Sequence, residues 1–394
     1  DTSVPLPIPL IHHSDHAVDP LQVQTLTVDI GDSTLTFETG KMGRQANGAV
    51  LVSDGNTMVY GTVCTEEGDQ GQTRGGLPLK VDYFERFSAA GATSQAYFKR
   101  EGRPGDGEVL VARLVDRSVR PMLQAVSETQ LLLWVLSYDG SRDPEPLALC
   151  AAGAALAISD VPMKNVVAGV KVGKVDGEYV INPPKAQAKQ PTLELTVAGT
   201  VDAVLMIEGA ADFIPEEELL EAVEFGHKAV ARICQELSAW AERIGKSKTP
   251  FVALDTAEVI SAIEAEFGDT IDTAFSPAYE DKSSRQMALS TLDEQIASHF
   301  AENFPQYSAA AVGAALKQLY VRTLVRRVKE TGLRADGRTP TEIRPITMES
   351  GLLPCTHGSA LFTRGQTQAL ATATLGDSKM QLVTQTLDGD QRKN

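Results

Sequence analysis

The stretch GAVLVSDGNTMVYGTV, residues 48–63, is the part of the sequence from which the fold is inferred, because two β-rich runs flank an Asp-Gly-Asn turn at residues 54–56. Aspartate followed by glycine between two apolar runs predicts a β-hairpin. The preceding stretch QVQTLTVDIGDSTLTF (22–37) alternates apolar and polar residues and predicts two further strands around a turn. The first part of the chain is therefore expected to be rich in β-structure.

The same strand–turn–strand pattern returns near the end of the sequence. ETGKMGRQANGAVLVSDGNTMVYGTV (38–63) aligns without gaps on ESGLLPCTHGSALFTRGQTQALATAT (349–374), at an offset of 311. The turn at 53–55 then falls on residues 364–366. Few residues are identical, but the shared pattern predicts a duplicated domain. The identical pairs are Glu38 and Glu349, Gly40 and Gly351, and Ala49 and Ala360.

The residues between the two copies predict mixed strands and helices. TQLLLWVLSY (129–138) is typical of a buried strand, and EPLALCAAGAALAIS (145–159) of a helix whose small residues pack closely on a sheet. Pro215 predicts the start of a long helix that ends near Gly245. We predict an α/β (α+β) fold with a flexible tail at 1–20, a first core at 21–247, an all-helical domain at 248–332 and the start of a second core at 333–394.

Composition excludes several classes of protein. The 394 residues carry a formal net charge of −16, with 52 acidic and 36 basic side chains. This charge argues against a globally electropositive nucleic-acid binder, so any site for a polyanion must be a local patch. No apolar run is long enough for a membrane span. The four cysteines show no CxxC spacing, which argues against a zinc site or a disulfide framework. They are Cys64, Cys150, Cys234 and Cys355.

One segment, AYFKREGRPGDGEVLVARLVDRSVRP (96–121), differs from this acidic background. Six basic side chains face four acidic ones, and an aromatic pair stands directly before the first two basic residues. Asp106, in a Gly-Asp-Gly turn, is predicted to cap the helix that follows. The later arginines share one face of that helix, where an internal ion pair with Asp116 is the favoured interpretation. The basic residues are Lys99, Arg100, Arg103, Arg113, Arg117 and Arg120.

Several long motifs, in the right order, resemble the polynucleotide phosphorylase family, and the resemblance extends from about residue 22 to the end of the chain. ERFSAAG (85–91), FKREGR (98–103) and WVLSYDG (134–140) are most similar to the plant-chloroplast branch of that family. The other motifs are YFKREGRPGDGEVLVARLVDRSVRP (97–121), LELTVAGT (193–200), DAVLMIEG (202–209), LRADGRTPTEIRPI (333–346) and HGSALFTRGQTQALATATLG (357–376).

The resemblance implies an architecture and a reaction. Two RNase PH-type cores (ribosomal protein S5 domain 2-like) are joined by an all-helical linker domain and followed by RNA-binding KH and S1 domains, and three subunits form a homotrimer ring around a channel. Inorganic phosphate attacks the 3′-terminal phosphodiester of single-stranded RNA and releases a nucleoside diphosphate, and the reverse reaction adds tails. Mg²⁺ assists the reaction, and no membrane is involved.

The resemblance also assigns a role to the basic segment. Aromatic side chains stack on bases of any sequence, and basic side chains neutralise phosphates, as a strand fed into a channel requires. Spacing alone is equally compatible with buried aromatic residues and a solvated basic face, so the resemblance decides for RNA. The predicted RNA-binding residues are Tyr97, Phe98, Lys99, Arg100, Arg103 and Arg364.

The residues needed for catalysis depart from the family pattern. An active core carries two aspartates and a lysine just before Val-Ala-Gly, and the matching positions here are Ala188, Glu194 and Thr196. One carboxylate remains of two and the lysine is missing, so the first core is expected to be inactive. No catalytic residue and no metal ligand is predicted in this chain, and the Mg²⁺ ligands are expected beyond Asn394.

Two residues of the second copy require separate comment. Cys355 stands where the family usually has arginine, which removes a positive charge expected to face RNA. His357 could suggest catalysis, but without a partner in sequence it is predicted to be a structural hydrogen-bonding residue. His12, His13 and His16 are assigned to a disordered tail rather than to a metal site.

Two functional hypotheses remain open from the sequence. The first is a phosphorolytic 3′-to-5′ exoribonuclease of the chloroplast stroma, of which this chain is the part with the RNA channel; a mitochondrion or the bacterial cytoplasm are the alternative compartments. The second is a naturally truncated, inactive RNA-binding or scaffold paralogue of the same ring. A small-molecule α/β enzyme is rejected, because the sequence has no Gly-rich nucleotide loop and no nucleophile elbow.

Overall fold

The computed structural model of the chain describes residues 23–31, 33–65, 78–94, 101–124, 127–186, 192–251, 255–276 and 282–393. These residues form two compact units. The first unit contains the described residues up to Phe251 together with Val383–Lys393, and the second contains those from 255 to 382. Each unit has its own elements and is considered separately below.

The first unit contains a six-stranded sheet with the order β1-β2-β3-β4-β6-β5, in which only the β5–β6 pair is parallel. The hairpin predicted at residues 48–63 is formed by β3 and β4, and Gly55 in its turn has φ of 59°. Glycine suits this turn because its φ is positive. The strands are β1 (Gln24–Asp29), β2 (Thr34–Thr39), β3 (Gly48–Asp54), β4 (Thr57–Thr65), β5 (Leu79–Glu85) and β6 (Thr129–Ser137).

A second sheet and three helices complete the first unit. The four strands of this sheet are antiparallel and have the order β10-β9-β7-β8. A two-stranded hairpin, β14 and β15, comes from the end of the sequence. The elements are α1 (Asp106–Val119), α2 (Pro144–Ile158), β7 (Ala168–Val175), β8 (Glu178–Ile181), β9 (Leu193–Gly199), β10 (Val204–Ala211), α3 (Glu216–Ile244), β14 (Leu382–Thr386) and β15 (Gly389–Lys393).

Helix α2 is the centre of the first unit. It contacts β3 and β4 of the large sheet, β7 of the small sheet, and α3, and every residue in it except Glu145 is buried. The predicted small-residue packing explains this position. A Cβ added to Gly48 would meet the carbonyl oxygen of Ala155 at 2.2 Å, and one added to Gly153 would meet the carbonyl oxygen of Val167 at 1.7 Å. The sheets therefore approach the helix more closely than larger side chains would allow.

The start of α1 differs from its prediction. Asp106 is the first helical residue and not the cap, because Gly105 occupies the N-cap position. The Glu108 carboxylate reaches back and accepts the N–H of Gly105 at 2.6 Å. Glycine has no side chain to accept the N–H groups of the first helical turn, and the glutamate at the third helical position satisfies the N–H of Gly105 itself.

The second unit contains the helical region predicted from the sequence. Helices α4 and α6 pack together with α5 around a core that includes Ile263, Ile296 and Phe300. Gly332 has φ of 69° and ends α6, because glycine adopts this left-handed conformation without strain. A three-stranded sheet with the order β11-β12-β13 follows. The elements are α4 (Ala257–Ala274), α5 (Lys282–Asn303), α6 (Ala309–Thr331), β11 (Ile346–Ser350), β12 (Gly358–Arg364) and β13 (Thr367–Ala373).

The duplicated pattern is present in the structure, but the gapless alignment is wrong by one residue. Strand β11 follows β2 at an offset of 311, whereas the hairpin β12–β13 follows β3–β4 at an offset of 310, from Gly48 to Gly358. Gly365, with φ of 61°, is therefore the counterpart of Gly55. The loop before the hairpin is one residue shorter in the second copy, because loops accept deletions more readily than paired strands do.

No helix within the described residues is both long enough and apolar enough to cross a membrane.

Candidate nucleic-acid interface

The predicted RNA-binding residues divide between described and undescribed parts of the chain. Residues 97–100, Tyr-Phe-Lys-Arg, lie outside the described residues. Arg103 is exposed in the first unit, and Arg364 is exposed at the end of β12 in the second unit. The predicted RNA loop is taken as residues 95–100. The structure describes the residues that flank it, up to 94 and from 101.

Arg86, directly after β5, is joined to Glu101, the residue that directly follows this loop. The Arg86 guanidinium lies 4.8 Å from the ring centroid of Phe84 and 5.2 Å from that of Trp134. Its Nη1 donates to the carbonyl oxygen of Glu101 at 2.7 Å and lies 3.3 Å from Oε2. The other oxygen of Glu101 accepts the N–H of Phe87 at 3.0 Å. Glu101 follows the loop directly, so these contacts close the segment from Phe87 to Glu101, within which the loop lies.

A second glutamate adds to this closure. Glu108 Oε1 accepts the N–H of Glu85 at 2.8 Å, while its Oε2 accepts the N–H of Gly105. One carboxylate thus joins the end of β5 to the start of α1. Because carboxylates bind N–H groups strongly, the two glutamates fasten the residues that follow the loop to the end of β5 and the residues directly after it.

The arginines of α1 differ in their partners. Arg120 donates from Nε to Asp116 at 2.9 Å and from Nη2 at 2.5 Å, which confirms the predicted ion pair. Arg117 pairs with Glu208 of β10. Arg113 is exposed and makes no ion pair within the described residues. Two of the three charges are therefore neutralised within the chain and are not available to a polyanion.

The residues at the positions of the catalytic pattern form part of a polar cluster. Glu194 and Thr196 lie in β9, and Ala188 lies outside the described residues. The Glu194 carboxylate pairs with Lys171 of β7. Thr196 Oγ1 donates to Glu145 Oε1 at 2.5 Å. The one carboxylate that remains of the pattern is thus held by a lysine of the neighbouring strand.

Lys171 also joins this cluster to the start of α2. Its Nζ donates to Asp143 Oδ2 at 2.5 Å, and Asp143 Oδ1 accepts the N–H of Glu145 at 3.1 Å as the N-cap. Burial alone would raise the pKa of the Asp143 carboxyl, but Lys171 and this N–H outweigh burial and lower it. Burial likewise opposes the charge on Lys171, yet Asp143 and Glu194 raise its pKa. Burial raises the pKa of Glu145.

This arrangement determines what the cluster can do chemically. The N-terminus of a helix attracts anions because free N–H groups and the helix dipole converge there. At α2 that position already holds Asp143, with Glu145 and Glu194 close by. A phosphate group entering here would meet three carboxylates and a lysine that is already paired. With three carboxylates and one lysine the cluster keeps an excess of negative groups, so it does not suit the binding of a phosphate.

A further contact connects the hairpin β14–β15 to the same unit. Lys185 Nζ lies 2.7 Å from Asp388 Oδ2 and 2.6 Å from the hydroxyl of Tyr138, which in turn donates to Asp388. Burial and the bond to Asp388 raise the pKa of Tyr138 to about 12. The ion pair between Lys185 and Asp388, together with the uncharged hydroxyl of Tyr138, therefore attaches the hairpin β14–β15 to the rest of the first unit.

No three side chains of the His, Cys, Asp and Glu types come together to form a metal site among the residues that the structure describes. The nearest candidate is the polar cluster, but Lys171 occupies the space between Asp143 and Glu194. A lysine in that position competes with a cation. The described residues therefore do not fit the Mg²⁺ ion that the resemblance implies, and no step of the reaction can be assigned to a metal on them.

His357 and Cys355 of the second copy are both exposed. The Nδ1 atom of His357 accepts the N–H of Leu375 at 2.9 Å. This bond ties two ends of neighbouring strands and agrees with the structural role predicted for the histidine.

Sequence reasoning missed Asp143, Glu145 and Lys171. Asp-Pro-Glu before an apolar helix is a signal for an N-cap followed by proline, which identifies Asp143. Lys171 has no comparable signal, because alternating polar residues in a strand do not indicate which other strand supplies a partner.

Comparison with families of known proteins gives three matches. A model described as "3' exoribonuclease family, domain 1" matches residues 33–162 and again 342–391, in accordance with the duplication. A model described as "3' exoribonuclease family, domain 2" matches 165–229. A third, "Polyribonucleotide nucleotidyltransferase, RNA binding domain", matches 258–339 and thus most of the three-helix region.

Curated relatives carry the name polyribonucleotide nucleotidyltransferase. That of Chlamydia pneumoniae is 44% identical over 375 residues, which is 94% of this chain and 54% of that protein. That of Chlamydia trachomatis serovar L2 is 45% identical over 363 residues, 91% of this chain and 52% of that protein. That of Protochlamydia amoebophila is 42% identical over 380 residues, which is 94% of this chain and 53% of that protein. The chain spans about half the length of these relatives.

A solved structure titled "Crystal Structure of rice(Oryza sativa) Rrp46" aligns with a TM-score of 0.41 and 17% identity, over 56% of this chain and 94% of that one. The assignment of RNase PH-type domains follows from the family matches to residues 33–229 and 342–391.

Proposed function

The chain belongs to the polyribonucleotide nucleotidyltransferase family, and from this premise we propose that it forms the RNA-guiding part of a phosphorolytic 3′-to-5′ exoribonuclease. In the proposed reaction an oxygen of inorganic phosphate attacks the 3′-terminal phosphodiester of single-stranded RNA. The bond from phosphorus to the 3′ oxygen of the preceding ribose breaks, that oxygen takes a proton, and a nucleoside diphosphate leaves. The observation that carries the proposal is 44% identity to a polyribonucleotide nucleotidyltransferase over 94% of the chain.

In this proposal the first core guides RNA and does not perform the chemistry. Its support is the polar cluster, where Asp143, Glu145 and Glu194 surround the site at which a phosphate would need positive charge. Phosphoryl transfer to a phosphate nucleophile requires cationic groups for the oxygens of the reacting phosphorus. The homotrimer ring, the use of Mg²⁺ and the release of nucleoside diphosphates are parts of the same proposal.

The cellular compartment in which the protein acts is also part of the proposal. The chloroplast stroma is a prediction from sequence motifs, whereas the relatives named above come from bacteria. The bacterial relatives favour the alternative, the bacterial cytoplasm. Immunolocalisation in the source cell, with a stromal and a cytosolic marker, distinguishes these assignments.

A second function, an inactive RNA-binding or scaffold protein of the same ring, is favoured by one observation: the first core's only remaining catalytic-type carboxylate, Glu194, is paired with Lys171. One assay tests the point that both functions share, a first core that binds RNA without cleaving it. The purified chain is incubated with oligoadenylate, inorganic phosphate and Mg²⁺, and ADP release is measured beside RNA binding on filters. Binding without ADP release supports a guiding role for this chain; ADP release contradicts the assignment of an inactive first core.

The first prediction concerns the loop itself. The variant Tyr97→Ala/Lys99→Ala/Arg100→Ala is expected to lower the affinity for single-stranded RNA by about 10- to 100-fold at low salt, because each stacked base contributes roughly 1–3 kcal/mol. The loss of two phosphate contacts should also reduce the slope of log K against log salt by about 1.4. Filter binding at several salt concentrations measures both effects.

The matched control is Lys228→Ala/Arg232→Ala, which removes two positive charges from exposed positions of α3. This control should retain nearly all affinity. An equal loss in both variants would show that the loop contributes only general charge, and would contradict its assignment as the RNA-binding segment.

The second prediction concerns the closure of the loop. Glu101→Gln removes a negative charge, so electrostatics alone would strengthen RNA binding. If the bond to Arg86 positions the loop, affinity should instead fall by about 3- to 10-fold, because a loosened loop must be ordered on binding. RNA affinity of the variant, measured by anisotropy, gives the sign of the change.

Asp106→Asn is the control for this variant, since it removes one exposed acidic charge close to the loop and leaves both glutamates in place. Its affinity should be unchanged or slightly higher. A Glu101→Gln variant that binds RNA as tightly as Asp106→Asn would contradict a positioning role for Glu101.

A further inference from the structure

A basic pocket lies in the first unit, away from the polar cluster. Its volume is about 720 Å³, and it is formed by the start of β1, the loop from Thr39 to Ala49, and the end of α3. Three of its lining side chains are cationic, Arg44, Arg243 and Lys246, and none is acidic. In a chain with net charge −16 such a composition is unusual, because acidic side chains outnumber basic ones 52 to 36 over the whole sequence.

No carboxylate of the described residues neutralises these three charges. All three side chains are exposed, and within the described residues none of them forms an ion pair with a carboxylate. Lys246 Nζ donates a hydrogen bond to the carbonyl oxygen of Ala46 at 3.4 Å, its one acceptor among the described residues. By contrast, the exposed Arg117 and Arg322 each pair with a glutamate. Uncompensated charges that share one concave surface concentrate their field on whatever enters it.

Helix ends explain only part of this arrangement. Arg243 stands in the last turn of α3, where a cation complements the helix carbonyls. Arg44 belongs to a different element, the loop between β2 and β3, and Lys246 follows the helix. Two elements distant in sequence thus bring cations to one cavity without a carboxylate between them.

The pocket is also preformed. Gly43 has φ of 71°, and a Cβ added to it would meet the hydroxyl of Tyr60 at 2.1 Å, so the backbone beside Arg44 has little freedom. Trp240, which lines the pocket, is 1% exposed and packs against Phe37 with ring centroids 6.5 Å apart. The packed wall and the tight loop fix the backbone from which the cations extend, so binding does not have to order that backbone.

We propose that this basic pocket binds phosphate groups and that RNA, through its phosphodiester backbone, is their source. Arg44 and Arg243 contact the phosphates, and Lys246 adds to the field. A volume of about 720 Å³ accommodates more than a single phosphate ion, which favours a nucleotide segment over free phosphate. The phosphate chemistry stands on the pocket alone, whereas the choice of RNA rests on the proposed function.

The test compares two variants that each lose two positive charges. Arg44→Gln/Arg243→Gln changes the pocket, and Lys228→Gln/Arg232→Gln changes exposed positions of α3 that do not line it. Binding of labelled oligoadenylate is measured at several salt concentrations. Inorganic phosphate and ADP are titrated separately by calorimetry. Thermal denaturation of each variant establishes that it is folded.

For RNA, the pocket variant should lower the slope of log K against log salt by about 1.4, the value for two phosphate contacts with a single strand. The control should leave the slope unchanged. RNA binding could be unaffected while phosphate or ADP binds the parent chain and not the pocket variant. In that case the pocket is a phosphate site for a small molecule, and the choice of RNA is wrong.

Two results separate this inference from the proposed function. Failure of the parent chain to bind RNA contradicts the RNA-guiding role, while calorimetry with phosphate and ADP still decides whether the pocket binds phosphate. If the pocket variant equals the control in the RNA slope and in the phosphate and ADP titrations, the pocket is not a phosphate site and the inference is overturned.

Discussion

Gly153→Ala is expected to lower the free energy of unfolding of the first unit by about 3 kcal/mol, at the upper end of the usual cost of overpacking a core. The new Cβ would lie 1.7 Å from the carbonyl oxygen of Val167, which is backbone and cannot rotate away. Helix α2 would have to move as a whole, and it is buried along its entire length. Urea denaturation followed by circular dichroism measures the loss.

The control is Gly107→Ala in α1, where the added Cβ meets nothing within 4 Å. Alanine is the better helix former, so this variant should be as stable as the parent or more stable by up to about 1 kcal/mol. An unchanged urea midpoint for Gly153→Ala would show that α2 can shift at no cost, contrary to the packing described above.

Lys171→Met should have a similarly large effect, a loss of about 3 kcal/mol in the free energy of unfolding. The substitution leaves Asp143 and Glu194 without their common cation, and removing one member of a buried pair typically costs 3–5 kcal/mol. Glu194 is 46% exposed, so the lower end of that range applies. Chemical denaturation near neutral pH provides the measurement.

The pH dependence of this loss follows from the two pKa shifts. The pKa of Lys171 lies above its usual 10.5 in the folded state, so its contribution is complete below that value and disappears as pH rises through the folded pKa. The pKa of Asp143 lies below its usual 3.8, so its contribution is present above that value and disappears as pH falls through the folded pKa. The deficit of the variant should be constant between these limits and shrink outside them.

Asp143→Asn/Lys171→Met is the companion variant, because it removes the isolated carboxylate together with the lysine. It should recover part of the stability lost in Lys171→Met. The stability loss of Asp143→Asn alone is measured as well. If the double variant is less stable than Lys171→Met by that same amount, the two side chains act independently and their ion pair contributes nothing.

Much of the fold could be predicted because its signals are local. The hairpin turn at Gly55, the small residues around Gly153 and the C-cap at Gly332 each have a physical cause within a few residues. The one-residue error in the repeat arose where no such signal exists, in the loop before Gly48 and Gly358. A loop has no periodicity from which a missing residue can be recognised.

The candidate site was predicted less completely. The resemblance indicated the RNA loop, but not the bond between Arg86 and Glu101 beside it, since Arg86 is positioned by its contact with the rings of Phe84 and Trp134. The sequence also indicated that Glu194 remained from the catalytic pattern. It did not indicate that the carboxylate is already paired.

The sequence by itself determined the order and type of the elements, the duplication and the family, because apolar periodicity, turn residues and motifs can be read along the chain. Only the tertiary structure decided which charges are neutralised. Lys171 meets Asp143 and Glu194, whereas Arg44 and Arg243 meet no carboxylate within the described residues and share a pocket. The physical reason is that Coulomb energy depends on distance in space and on burial, and both are fixed by how strands and helices pack.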